Sequence, residues 1–120
     1  MRVAIFDLES SSLYANTGIL LCGVVKEYDS TFKKPSVIFR ADEYPNWKTN
    51  KSNYKRLTED ILEHLSIFDI IVAHNGQYFD KTFLNSAALK YRIKYDLRGV
   101  KFIDPVLISR RHLRLARNSL

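Results

Sequence analysis

A chain of 120 residues with 46% hydrophobic content supports one domain with one real core and leaves no material for a second. No apolar run approaches the roughly 18 residues of a membrane span, the first residues read as a strand and not as a leader, and a lone Cys22 excludes a disulfide framework. The expectation is a soluble, cytoplasmic protein. The net charge of +6 is unevenly placed: from Lys90 onward nine Lys and Arg face two Asp, whereas residues 1–89 carry ten against eleven acids. A basic end beside a more acidic body fits a polyanion lying along one face, or a solvated helix face.

Residues 2–8 read as a first strand, and 18–28, opened by Gly18 and rich in Leu and Val, as a second. Cys22 within it reads as a small buried thiol. Residues 34–40 carry Val37-Ile38-Phe39, a third strand approached through Lys33-Lys34-Pro35. Short polar connections make these three an antiparallel meander. The segment 41–51, with Pro45, Asn46 and Trp47, reads as a loop. Leu57, Ile61, Leu62 and Leu65 then share one helical face, with Glu59, Asp60 and Glu63 outward and Ser52 or Asn53 as N-cap.

Residues 67–73 are mostly apolar, as in a strand buried on both faces and reached by a parallel crossover. Phe83, Leu84, Ala87, Ala88 and Tyr91 outline a second helix beginning near Asp80. Residues 101–104 form a short fifth strand. Asp104 and Pro105 then open a last helix as N-cap and first-turn proline, with Val106, Leu107, Leu113 and Leu115 for its apolar side. The order βββαβαβα describes an α/β domain over residues 1–120, a mixed five-stranded sheet flanked by helices.

Two motifs carry chemistry. In Val3-Ala4-Ile5-Phe6-Asp7-Leu8-Glu9, residues two apart on a strand share a face, so Asp7 and Glu9 converge while Leu8 turns away. In His74-Asn75-Gly76-Gln77-Tyr78-Phe79-Asp80, turn-forming residues interrupt a buried strand and a third acid starts a helix. Acids gathered at strand ends repel one another and lose hydration unless a cation neutralises them, and hard oxygen ligands suit Mg²⁺ or Mn²⁺. Taken alone, Asp7 and Glu9 also fit a solvated strand end, and Asp80 a helix cap.

Together, the D-x-E of Asp7 and Glu9 and the N-x-x-x-F-D of Asn75 to Asp80 resemble the DEDD superfamily of 3′-to-5′ exonucleases on the ribonuclease H-like fold. The spacing of the second motif is similar to that in the proofreading domain of B-family DNA polymerases and its stand-alone relatives. The resemblance implies hydrolysis of nucleic-acid phosphodiester bonds by a two-metal mechanism, with ions roughly 3.5 to 4 Å apart. It makes Asp7, Glu9 and Asp80 the catalytic metal ligands: Asp7 bridges both ions, Glu9 holds the ion that activates water, and Asp80 anchors the ion at the leaving 3′-oxygen. It suggests Leu13 as a wedge against the terminal base, where a loop residue folded onto the core fits equally, and Asn75 as orienting the strand or a neighbouring acid. Leu8 is a further substrate-side candidate, and Tyr78 beside Phe79 suits stacking on a base, with one of that aromatic pair in the core. The implied partner is a single-stranded 3′ end of DNA or RNA.

The family's third motif, a final acid preceded by a Tyr or His, has no counterpart, since no Asp or Glu follows Asp104. The chain is therefore expected to lack a C-terminal helix, with Asp104 as helix cap and not as substitute ligand. Three readings follow: an exonuclease of lowered activity, a noncatalytic nucleic-acid-binding or accessory module, or a remnant whose missing helix comes from a partner chain or a second copy. Of the histidines, His64 reads as a surface residue, His74 as a turn residue within approach of the site, and His112 as a phosphate contact.

Overall fold

The computed structural model of the chain describes residues 1–12, 18–76 and 79–112. Five strands, β1 (Val3–Ser10), β2 (Leu20–Glu27), β3 (Val37–Arg40), β4 (Ile70–Val72) and β5 (Lys101–Ile103), form one sheet in the order β3-β2-β1-β4-β5. β1 pairs antiparallel with β2, and β2 with β3, which is the expected meander. β4 runs parallel to β1, and β5 to β4, because a helix precedes each of them. The helices are α1 (Lys55–Leu65), α2 (Asp80–Tyr91) and α3 (Pro105–His112). The α/β class, the mixed sheet and the element order are those expected.

The alternation of β1 decides which face becomes core. Ala4, Phe6 and Leu8 are buried, whereas Ile5, Asp7 and Glu9 are exposed. Against the buried face pack Leu57, Ile61, Leu62 and Leu65 of α1 and Phe83, Leu84, Ala87 and Ala88 of α2. Gly23 of β2 lets α1 approach closely, since a Cβ there would stand 2.8 Å from Ile61 Cδ1.

Several local expectations are corrected. Residues 41–51 contain two short 3₁₀ turns, Ala41–Glu43 and Pro45–Lys48, where a plain loop was expected. Neither Ser52 nor Asn53 is the N-cap of α1: that position is Tyr54, whose side chain makes no cap bond. The entry to α1 is tied instead by the far end of α2, where Tyr91 Oη accepts the Tyr54 N–H at 3.2 Å and donates to Ser52 O at 2.8 Å. The apolar run 67–73 yields only three strand residues, because Ile67 and Phe68 belong to the turn leaving α1, with Ile67 exposed and Phe68 in the core. His64 is not a surface residue: its ring lies between Phe39 and Phe68, centroids 5.6 and 5.5 Å away. Among the described residues no helix is long and apolar enough to cross a membrane.

Candidate functional site

β1 delivers its two acids at its C-terminal end, in the middle of the sheet. Asp7 stands opposite Val24 and Glu9 opposite Cys22 on β2, and the pairing register shifts between Glu9 and Ser10. This irregularity is where the chain leaves the ladder, and the Ser11 N–H donates to Ile19 O at 2.9 Å. The Cys22 thiol is half-buried where a buried one was expected, and burial, then the charge of Glu9, raise its pKa.

The third acid is set by a tight turn after β4. Gly76 N–H donates to Ala73 O at 2.9 Å, and a Cβ on Gly76 would stand 2.3 Å from the Ala73 Cβ, so glycine is required there. Asn75 adopts the left-handed conformation with φ 57°, a region Asn enters more readily than most residues. Phe79 N–H then donates to Asn75 O at 3.1 Å and Lys81 N–H to Gly76 O at 2.8 Å, so the turn carries directly into α2. Asp80, the first residue of α2, is 2% exposed, and its Oδ2 is buried with no hydrogen-bond partner among the described residues.

Asp104, between β5 and α3, is the N-cap that the sequence implies: its Oδ1 accepts the Val106 N–H at 2.9 Å. The same oxygen also accepts the Asn75 N–H at 2.9 Å, a bond spanning 29 residues that no local pattern announces. Asp104 is 4% exposed, and its Oδ2 likewise has no partner among the described residues.

Asp7, Glu9 and Asp80 line one open cleft of about 680 Å³, together with Ser10, His74 and Asn75. Burial, followed by the charges of Asp7, Glu9 and Asp104, raises the Asp80 pKa to about 7. Among the described residues no Lys or Arg pairs with any of these four acids. A buried carboxylate oxygen without a partner, in a cleft of negative charge, is the environment a cation relieves. The donors are all hard oxygens, so the residues fit Mg²⁺ or Mn²⁺. The acids nevertheless share the cleft without closing into a shell: among the described residues no three His, Cys, Asp or Glu side chains form a group able to hold a metal ion.

Of the residues placed on the substrate side, Asn75 is exposed and Phe79 half-buried, and both border the cleft. Leu8 borders it as well, but its side chain is 3% exposed and belongs to the core, as its alternation with Asp7 and Glu9 requires. Leu13 and Tyr78 lie outside the described residues. His74, read as a turn residue within approach of the site, lines the cleft. Sequence reasoning missed the second bond of Asp104, which fastens the Asn75 turn; an acid directly after a short strand is the one signal it leaves.

A family model described as the RNase H superfamily matches residues 4–120. No curated protein sequence matches the chain. Among solved structures, the zinc-bound complex of E. coli exonuclease I with single-stranded DNA superposes with a TM-score of 0.68 at 17% identity, over 92% of this chain and 29% of that one. An apo exonuclease I superposes at 0.67 with 16% identity, over 91% and 30%. The family B DNA polymerase of the archaeon Pyrobaculum calidifontis superposes at 0.62 with 18% identity, over 87% and 15%. The chain thus spans under a third of the length of these proteins, and the likeness is one of fold.

Proposed function

The chain belongs to the RNase H superfamily, and from that premise we propose that it is a metal-dependent 3′-to-5′ exonuclease acting on single-stranded nucleic acid. The observation that carries this reading is the meeting of two separate motifs in one cleft. Asp7 and Glu9 stand on its exposed rim and Asp80 at its buried floor, with an oxygen that has no hydrogen-bond partner among the described residues.

Asp7, Glu9 and Asp80 would hold Mg²⁺ or Mn²⁺. Such a cation supplies Lewis-acid polarisation of the phosphoryl group and a more acidic water. The chain's own residues do the positioning. The rigid Asn75 turn offers a side-chain amide to the strand, and half-buried Phe79 offers an apolar surface to a terminal base. The basic end, with exposed Arg110 and Arg111, attracts the phosphate backbone.

The test is Mn²⁺-dependent release of mononucleotides from a 3′-labelled single-stranded DNA, chosen because the exonuclease I complex holds such a strand, with RNA in parallel. Slow release is expected, abolished by Asp7→Ala. Release unaffected by that substitution places the chemistry elsewhere. Strand binding with no hydrolysis at any cation concentration identifies the noncatalytic module instead.

A further inference from the structure

Asp104 has two features that a helix cap alone does not explain. Its Oδ1 accepts two backbone N–H groups from different elements, Val106 in the first turn of α3 and Asn75 in the turn after β4, each at 2.9 Å. Its Oδ2 is buried and unpartnered, as is that of Asp80, and the charge of Asp104 acts on Asp80. A cap needs one acceptor oxygen and is normally solvated. Burying a carboxylate with one oxygen unsatisfied costs free energy that capping alone does not offset.

The chain leaves β4 through the Asn75 turn, which holds a non-glycine residue at φ 57°. Carbonyls of the same turn receive the Phe79 and Lys81 N–H groups that launch α2. Whatever fixes the turn therefore fixes both the Asn75 side chain at the cleft and the direction from which Asp80 enters it. Gly76 N–H closes the turn from within. Beside the backbone bond from Ala73 N–H to Ile103 O at 3.1 Å, Asp104 Oδ1 supplies the side-chain bond that ties Asn75 itself to the neighbouring strand-helix junction.

We propose that Asp104 is a positioning residue of the carboxylate cleft, a clamp whose Oδ1 locks the Asn75 turn to the base of α3 and so aims Asn75 and Asp80. The proposal rests on the nuclease reading for its consequence, cation affinity, but not for the clamp itself. Outer residues that orient metal ligands are worth about 10-fold or more in metal affinity when removed.

Three substitutions in the full chain separate the roles. Asp104→Asn keeps an acceptor oxygen for both N–H groups. Asp104→Ser keeps a cap for Val106 but is too short to hold Asn75 as well. Asp104→Ala loses both. Two readouts are taken: hydrogen exchange of the Asn75 amide without cation, and Mn²⁺ affinity from titration. The clamp requires a protected Asn75 amide in the unsubstituted chain and in Asp104→Asn, and fast exchange in Asp104→Ser and Asp104→Ala. It also requires Mn²⁺ affinity within about twofold for Asp104→Asn and lowered about 10-fold for the other two. Asp104→Ser behaving like Asp104→Asn reduces the residue to a helix cap. Asp104→Asn binding Mn²⁺ as poorly as Asp104→Ala, with its Asn75 amide still protected, makes Asp104 a ligand and overturns the proposal. Fast Asn75 exchange in the unsubstituted chain overturns it directly. A protected amide in a chain that binds no Mn²⁺ overturns the nuclease reading and leaves the clamp standing.

Discussion

Asp80 lies buried at the floor of the cleft within electrostatic reach of Asp7 on the rim, and burial first, Asp7 next, raise its pKa from the usual 3.8 to about 7. Between those pH values the folded chain keeps a proton that the unfolded chain has released. Stability of the cation-free protein therefore falls as pH rises from about 4 to about 7, by on the order of 4 kcal/mol, and is level above. Asp80→Asn has nothing to ionise there and removes this decline. Urea unfolding across that range measures it, and parallel profiles for the two proteins would contradict the assignment.

The second prediction concerns the approach of α1 to the sheet. Gly23→Ala places a methyl 2.8 Å from Ile61 Cδ1 and 3.6 Å from Phe6 Cε1, and should destabilise by about 1 to 3 kcal/mol through overpacking. Ile61→Val removes Cδ1 and alone costs about 1 kcal/mol. Combined, the two should be less damaging than their sum by about 1 kcal/mol, because each relieves the other. Additive losses in denaturant unfolding would show that this close approach is not the constraint.

The basic end gives a third. Arg110 and Arg111 are exposed in the last turn of α3; Arg114 and Arg117 lie outside the described residues. Two of the three acids of α1 are engaged elsewhere, Glu59 at 3.8 Å from Lys55 and Asp60 accepting from Tyr44. Replacing Arg110 and Arg111 by Ala should flatten the salt dependence of single-strand affinity by about 0.7 in log-log slope for each phosphate that these arginines neutralise. If they serve only the α3 dipole, thermal stability falls and the slope is unchanged.

The elements with a clear period were legible in the sequence. β1 alternates strictly, and α1 and α2 repeat apolar residues at helical spacing, so their faces followed at once. The entry to α1 did not follow, because it is fixed by Tyr91, 37 residues away from Tyr54. The short β4 was overread because an apolar run does not distinguish a strand from the turn that feeds it. At the site, Asp7, Glu9 and Asp80 were singled out by type and spacing, and they line one cleft. Asp104 was seen correctly as a cap, and its second bond was invisible, since a hydrogen bond between two turns joined only through the sheet leaves no periodic trace.

The alternation of β1 also protects the cleft during folding. A slip of its pairing by one residue would drive Asp7 and Glu9 beneath α1 and turn Phe6 and Leu8 out to water. Such a misregistered sheet would bury two unpaired carboxylates and lose the centre of its core in a single step. Any chain that completes this sheet has thereby also sorted its acids to the correct side, so assembly itself inspects the site before any ligand arrives.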